Sequence, residues 1–364
     1  MNQDRINKLA EQLKTNKLGG MLICPSEDML FLTGYTPKMC KRFQALFVTD
    51  SGETFFICNL LYKGEIENAF GGRIPVYTWR DGESMTEVAR QVLAKYGLTG
   101  TTLGVNSSAQ AFNTLEIERD CGVKFVNGVP IIDEARIIKT EQEIADLRKA
   151  AKITDDAFTA VLEFIKPGLK EGDILQFLSN HMSAAGGRKT WGIIASGPNS
   201  SYPHYHGTDR IIQKQDLMIL DFGCSVNGMF SDMSRTVFVG GITDEQRKIY
   251  DIVRRSYEAG EKAVVTGAYI PDIDKVARDI IEAEGYGDTF LNRLGHGIGY
   301  MVHEAPDIKK NNKRNLEAGM AFSIEPGIYI AGKFGMRIEN IVVATPRPSG
   351  NEVLNKSSKE IIIL

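Results

Sequence analysis

Several residue classes are scarce in this chain, and each scarcity excludes something. There are only five cysteines (Cys24, Cys40, Cys58, Cys121 and Cys224), an odd number with no CxxC pair. That argues against a disulfide framework and against a cysteine-ligated zinc site, and it fits a reducing, cytoplasmic compartment. No apolar run approaches the roughly 18 residues needed to span a bilayer. The N-terminal MNQDRINKLAEQLKTNK has no apolar core of the kind a secretory signal needs. Charge of either sign is not in excess: the formal net charge is −3, so neither nucleic acid nor an anionic membrane is expected as a partner. Histidine is scarce as well. There are five in 364 residues, and His204, His206, His296 and His303 all fall in the second half of the chain.

What is present reads as a folded protein of about two domains, with 43% hydrophobic and 24% charged residues. Residues 1–132 form the first predicted domain, of α/β type. Ile6, Leu9 and Leu13 stripe a first helix, 84–96 is a second helical stretch, and GMLICP, ALFVTD and ETFFICNL read as strands, with two more near 104–106 and 123–126. The second predicted domain, 133–364, has an α+β pattern. Thr140 and Glu143 have capping-box spacing ahead of a long amphipathic helix that Pro167-Gly168 ends. A shorter helix over about 172–185 follows, and then the strand-like segments WGIIASG, LMILDFGCSV and MFSDMSRTVFVG.

That order then recurs. Thr243 and Gln246 repeat the capping spacing, helices run to about 264 and over about 272–284, and GHGIGY, MAFSIEPGIYI and MRIENIVVA read as strands. MILDFG resembles FSIEPG, and FSDMSR resembles GMRIEN, which matches Asp221 with Glu325 and Asp232 with Glu339. Chance likeness of short β-rich segments is the alternative. A duplicated helix–helix–strand unit would bring the four acids together about a pseudo-twofold axis.

Asn227-Gly228 is a type I′ hairpin signal, and it sets residues i and 455 − i opposite each other. Asp232 then faces Gly223, so Asp221 and Asp232 are same-face diagonal neighbours, about 7–8 Å apart at Cα. Carboxylates so placed repel unless something positive lies between them. Glu325 lies in an apolar strand, where an unpaired acid is costly. Glu339 has two readings, as a metal ligand or as the partner of neighbouring Arg337. Glycines on both sides of His296 let the backbone approach closely and expose the imidazole. Together Asp221, Asp232, His296, Glu325 and Glu339 offer one nitrogen and four carboxylates. Two divalent ions balance that charge. The donor set favours Mn²⁺, with Co²⁺, Zn²⁺ or Fe²⁺ as alternatives. A metal pair about 3.5–4 Å apart makes a bridging hydroxide available near neutral pH.

The segments LDFGCSVNGMFSDMSRTVFVG, LGHGIGYMVHEAP, SIEPGIYI and GMRIENIVV resemble, in order, the motifs of the pita-bread metallopeptidases, among them methionine aminopeptidase, aminopeptidase P and prolidase. KLGGMLICPSEDMLFLTGY is similar to the start of the N-terminal domain of the Xaa-Pro peptidases and creatinase, so the resemblance spans nearly the whole chain. It implies that Asp221 binds one metal, that His296 and Glu325 bind the other, and that Asp232 and Glu339 bridge them. Glu325 would also shuttle a proton to the leaving nitrogen. His204 and His303 would line the substrate site, one at the scissile carbonyl and one positioning the substrate, and Arg337 would hold a bridging carboxylate. Two positions depart from the family pattern. His206 reads either as a pocket residue or as an exposed loop histidine, and Trp191 either as pocket lining or as core. His181, on a helix beside Leu178 and Met182, reads as structural.

The implied activity is hydrolysis of the Xaa-Pro bond in dipeptides, with removal of the N-terminal residue from longer Xaa-Pro peptides, as in aminopeptidase P, as the alternative. A metal-free creatinase-like C–N hydrolase and a non-catalytic binding module of the same fold belong to other classes; both usually lack metal ligands, and all five are present here. Methionine aminopeptidase is disfavoured by the N-terminal domain. The resemblance also implies a homodimer.

Overall fold

The computed structural model describes residues 1–346 and 350–364. The chain divides into two compact units, Met1–Arg136 and Ile137–Leu364. No helix among the described residues is long and apolar enough to cross a membrane.

The first unit is built on a six-stranded sheet. Its order is Val76–Trp79, Thr54–Asn59, Ala45–Thr49, Gly20–Ile23, Thr102–Val105, Lys124–Asn127. The second, third and fourth strands in that order are almost wholly buried, and so read as continuous apolar runs in the sequence. The outer strand Val76–Trp79 is half-buried throughout and is not among the strands expected from the sequence. The first helix, Gln3–Thr15, is capped by Asn2 and buries Ile6, Leu9 and Leu13. Ser84 caps the helix Met85–Lys95.

In the second unit a helix pair and a sheet occur twice. Helices Glu141–Phe164 and Glu171–Ala184 share a core with strands Leu217–Val226 and Met233–Phe238. Helices Asp244–Ala263 and Ile270–Ala283 share another with strands Ala321–Ile324 and Asn340–Ala344. Both long helices start in complete capping boxes, Thr140–Glu143 and Thr243–Gln246. Each box satisfies two otherwise orphaned N–H groups, and losing the threonine costs about 1 kcal/mol. The segment 337–339 is tied to the strand Met233–Phe238: Glu339 N donates to Ser234 O (3.1 Å), and Arg337 N donates to Thr236 Oγ1 (3.1 Å).

The two segments read from sequence as single strands around Glu325 and Glu339 are each broken at the acid. MAFSIEPGIYI becomes Ala321–Ile324 and Gly327–Ile330, which lie in different sheets. MRIENIVVA becomes Phe334–Arg337 and Asn340–Ala344, likewise divided. Pro326 has no N–H to continue a ladder, which explains the first break. Asp232 falls in a similar gap between Met229–Phe230 and Met233–Phe238, so of the four acids only Asp221 lies inside a strand.

Candidate metal centre and its cavity

The hairpin that carries the first two acids forms as its turn residues dictate. Asn227 and Gly228 both have positive φ, 50° and 89°. Val226 pairs with Met229, and Ser225 with Phe230. Phe222 pairs with Met233, and Asp221 with Ser234, in the same register. Between these strands, Gly223 lets the chain close in on the Ser231–Asp232 gap. A Cβ on Gly223 would sit 1.9 Å from Ser231 O, an impossible contact for any other residue. Ser231 is itself tied down, with its N–H on Cys224 O (2.7 Å) and its hydroxyl against Thr154 Oγ1 (2.6 Å).

The histidine strand Gly295–Gly297 depends on its glycines in the same way. A Cβ on Gly295 would meet Ser323 O at 1.8 Å, and one on Gly297 would meet Ala305 O at 2.2 Å. His296 therefore sits squeezed between two strands, its N–H on Ser323 Oγ (3.1 Å) and its Nδ1 3.1 Å from Gly297 O. A carbonyl can only accept, so Nδ1 carries the proton and Nε2 presents a lone pair. That lone pair faces three carboxylates: Glu325 Oε1 at 3.4 Å, Asp232 Oδ2 at 3.6 Å and Glu339 Oε1 at 3.8 Å. These are not ion pairs, because burial, followed by the charge of His303, holds the His296 pKa well below its ordinary value.

Four acids are served mainly by one cation. Arg337 Nη2 lies 2.5 Å from Asp221 Oδ2, and its Nε donates to Ser234 Oγ (2.7 Å) while its Nη1 donates to Tyr329 OH (2.7 Å). Ser234 in turn donates to Glu339 Oε2 (2.7 Å). Asp221 Oδ1, Asp232 Oδ1 and Glu339 Oε1 are buried with no hydrogen-bond partner. Burial first, and neighbouring carboxylates second, push Asp232 and Glu325 well above the usual carboxylate range and Glu339 up to about 7. Three orphaned acidic oxygens, a neutral imidazole lone pair and carboxyls crowded against one another out of water form a set that divalent cations would satisfy. One oxygen from each of Asp232 and Glu339 and the His296 nitrogen already lie within 4.8 Å of one another.

This centre forms one wall of a cavity of about 1010 Å³, and every residue singled out in the sequence as a site candidate lines it. His303 stands at its open side, ring edge-to-face with His296 at 4.2 Å and 88°. Partial burial lowers its pKa first, and Arg293 and His204 lower it further. His204 and His206 are exposed on the segment after the short helix Gly197–Ser201. Trp191 is half-buried opposite Gly223, its indole nitrogen buried without a partner. His181 lies elsewhere, stacked on Phe177 at 6.2 Å.

Sequence reasoning passed over three supporting residues. Tyr329 and Ser234 link Arg337 to the acids, as described above. Arg235 is fully buried, donating to Glu339 O (2.7 Å) and Asn340 Oδ1 (2.7 Å), and so fixes the backbone of the Glu339 gap. The available signal was a charged residue inside the otherwise buried strand Met233–Phe238.

Comparison with known proteins places these features in context. The model of metallopeptidase family M24 matches residues 145–346, and that of the creatinase/prolidase N-terminal domain matches residues 5–138. An Xaa-Pro dipeptidase of Pyrococcus furiosus is 30% identical over 364 residues, covering 99% of this chain and 100% of that protein. The crystal structure of a recombinant prolidase from Thermococcus sibiricus superposes with a TM-score of 0.94 at 32% identity, over 100% of both chains. That of an X-Pro aminopeptidase from Thermotoga maritima gives 0.85 at 26% identity, over 100% of this chain and 99% of the other.

Proposed function

The chain belongs to metallopeptidase family M24, with a creatinase/prolidase N-terminal domain, and from that membership we propose that it hydrolyses the Xaa-Pro bond of dipeptides with two divalent metal ions per chain. The observation that carries the reading is the convergence of Asp221, Asp232, His296, Glu325 and Glu339 on one wall of a cavity whose lining also includes His204 and His303. Asp221 would hold one ion, His296 and Glu325 would hold the other, and Asp232 and Glu339 would contribute to both. When bound, the ions (Mn²⁺ by the mixed oxygen and nitrogen donor set) would supply a water acidified to near-neutral pH and a Lewis acid for the scissile carbonyl.

The chain's own groups do the rest. One of His303 and His204 donates to the oxygen on which negative charge develops, and the other orients the substrate. The amide before proline leaves as a secondary amine and needs a proton. Glu325, which lines the cavity beside His296, carries that proton from the attacking water to the leaving nitrogen. Arg337 holds the Asp221 carboxylate in place. Trp191 and His206 shape the cavity around the substrate. All five cysteines are free thiols, in keeping with a cytoplasmic enzyme, and a homodimer is the assembly we assign to it.

The likeness to an X-Pro aminopeptidase supports a second reading, removal of the N-terminal residue from longer peptides. Hydrolysis of a matched Xaa-Pro dipeptide, Xaa-Pro tripeptide and non-proline dipeptide, with Mn²⁺, Co²⁺ or Zn²⁺ added, separates the two. The proposed reading expects the dipeptide to be cut fastest. Preference for the tripeptide favours the second reading, and indifference to proline contradicts both.

A further inference from the structure

The turn that carries His303 is clamped from behind by a buried ion pair, and we propose that Lys139 and Glu304 are positioning residues that set the His303 imidazole against the substrate. The proposal rests on the reading above that His303 faces the scissile bond.

Glu304 follows His303 directly and pairs across the ladder with Gly297, the neighbour of His296. The connection 298–303 is therefore a short closed turn, with one histidine just before it and the other at its end. The Glu304 side chain turns inward, away from the cavity. Its Oε1 lies 2.6 Å from Lys139 Nζ, with the two side chains 0% and 1% exposed, and its Oε2 accepts the Met301 N–H at 3.2 Å. The turn is closed further by Gly299 N on Met301 O (3.0 Å) and Phe230 N on Gly299 O (2.8 Å). Gly299 packs so tightly on the pair that a Cβ there would stand 2.5 Å from Glu304 Oε1 and 2.7 Å from Lys139 Cε. Lys139 is itself held, its backbone N–H on Gly319 O (2.9 Å) and its Nζ on Ile137 O (3.4 Å).

Neither residue lines the cavity, so neither touches substrate. Stability alone is a poor reason for the pair, because a buried ion pair recovers little beyond its desolvation cost and apolar replacements of similar volume are often neutral. What the pair does fix is direction. It ties the Met301 N–H, the chain at Gly299 and the residue after His303 to one rigid point. The 88° edge-to-face setting of His303 on His296 follows from that geometry. A shift of about 1 Å in a positioned group can cost about 100-fold in rate.

The test replaces both charges together, Lys139→Met with Glu304→Leu. We expect metal content and melting temperature close to wild type, kcat on an Xaa-Pro dipeptide lowered about 10- to 100-fold, and KM changed little. In a His303→Ala background the same pair should lower kcat less than about twofold further, because the group it positions is gone. Wild-type kcat in the double variant, or an equal loss in the His303→Ala background, overturns the proposal. If the double variant does not fold, Glu304→Gln is followed by NMR of ¹³C-labelled histidine in the metal-stripped protein, with His303 assigned from His303→Ala. A displaced His303 ring resonance with His204 and His206 unmoved supports the clamp, and an unmoved His303 resonance overturns it. If the wild-type chain cuts no Xaa-Pro peptide, the functional reading fails by itself and the NMR measurement alone decides the placement of His303.

Discussion

Stripping the metals should make the chain less stable as pH rises, and the structure gives a size for the effect. Without cations, Glu339 is held near 7 in the folded state, against about 4.5 when unfolded. A carboxyl whose folded pKa is raised contributes its full stability below the unfolded value and loses it as pH climbs through the folded one. Glu339 alone therefore withdraws about 2–3 kcal/mol between pH 5 and pH 8. Asp232 and Glu325 are shifted in the same direction and add to the loss. At about 2–4 °C per kcal/mol for a unit of this size, the melting temperature of chelator-treated protein should fall by roughly 5–10 °C or more across that range. Melting curves by circular dichroism at pH 5, 6, 7 and 8, with and without Mn²⁺, provide the assay. Mn²⁺ should restore most of the loss at pH 8 and little at pH 5, where the acids already hold protons. Glu339→Gln should flatten the pH dependence of the stripped protein. A stripped protein as stable at pH 8 as at pH 5, with Glu339→Gln on the same slope, would refute the reasoning.

Three further outcomes follow from the same geometry. His303→Ala should keep its metals, by elemental analysis, and lose about 100-fold or more in kcat/KM; an unchanged value removes it from the reaction. Asp232→Asn should abolish metal loading and turnover. It should also raise the melting temperature of the stripped protein by a few degrees, since it deletes one of four mutually repelling carboxyls. Gly223→Ala drives a methyl against Ser231 O, so it should cost about 3 kcal/mol or more in denaturant unfolding. A neutral result there would mean the Ser231–Asp232 gap is not held as described.

Much of this centre was legible in the sequence for a definite reason. Asn227-Gly228 fixes a hairpin register by backbone sterics alone, and that register sets Asp221 and Asp232 on one face. The glycines around His296 announce a close approach, because nothing larger fits beside Ser323 O and Ala305 O. Periodicity could not show that the strands break at Glu325 and Glu339. An apolar run looks the same whether it stays in one sheet or passes between two, and only pairing partners distinguish them. Lys139 and the role of Arg235 were missed because their partners, Glu304 and Glu339 O, lie far along the chain.

The central claim is that two divalent ions among Asp221, Asp232, His296, Glu325 and Glu339 drive hydrolysis of an Xaa-Pro bond. Its most direct test is Mn²⁺ reconstitution of the stripped chain, with bound metal per chain and Xaa-Pro dipeptide hydrolysis measured on the same samples. The account predicts that activity rises with loading and saturates at two ions per chain, and that Asp232→Asn neither loads nor turns over. Full turnover by the metal-free chain, or bound metal with no hydrolysis of any Xaa-Pro peptide, would contradict it.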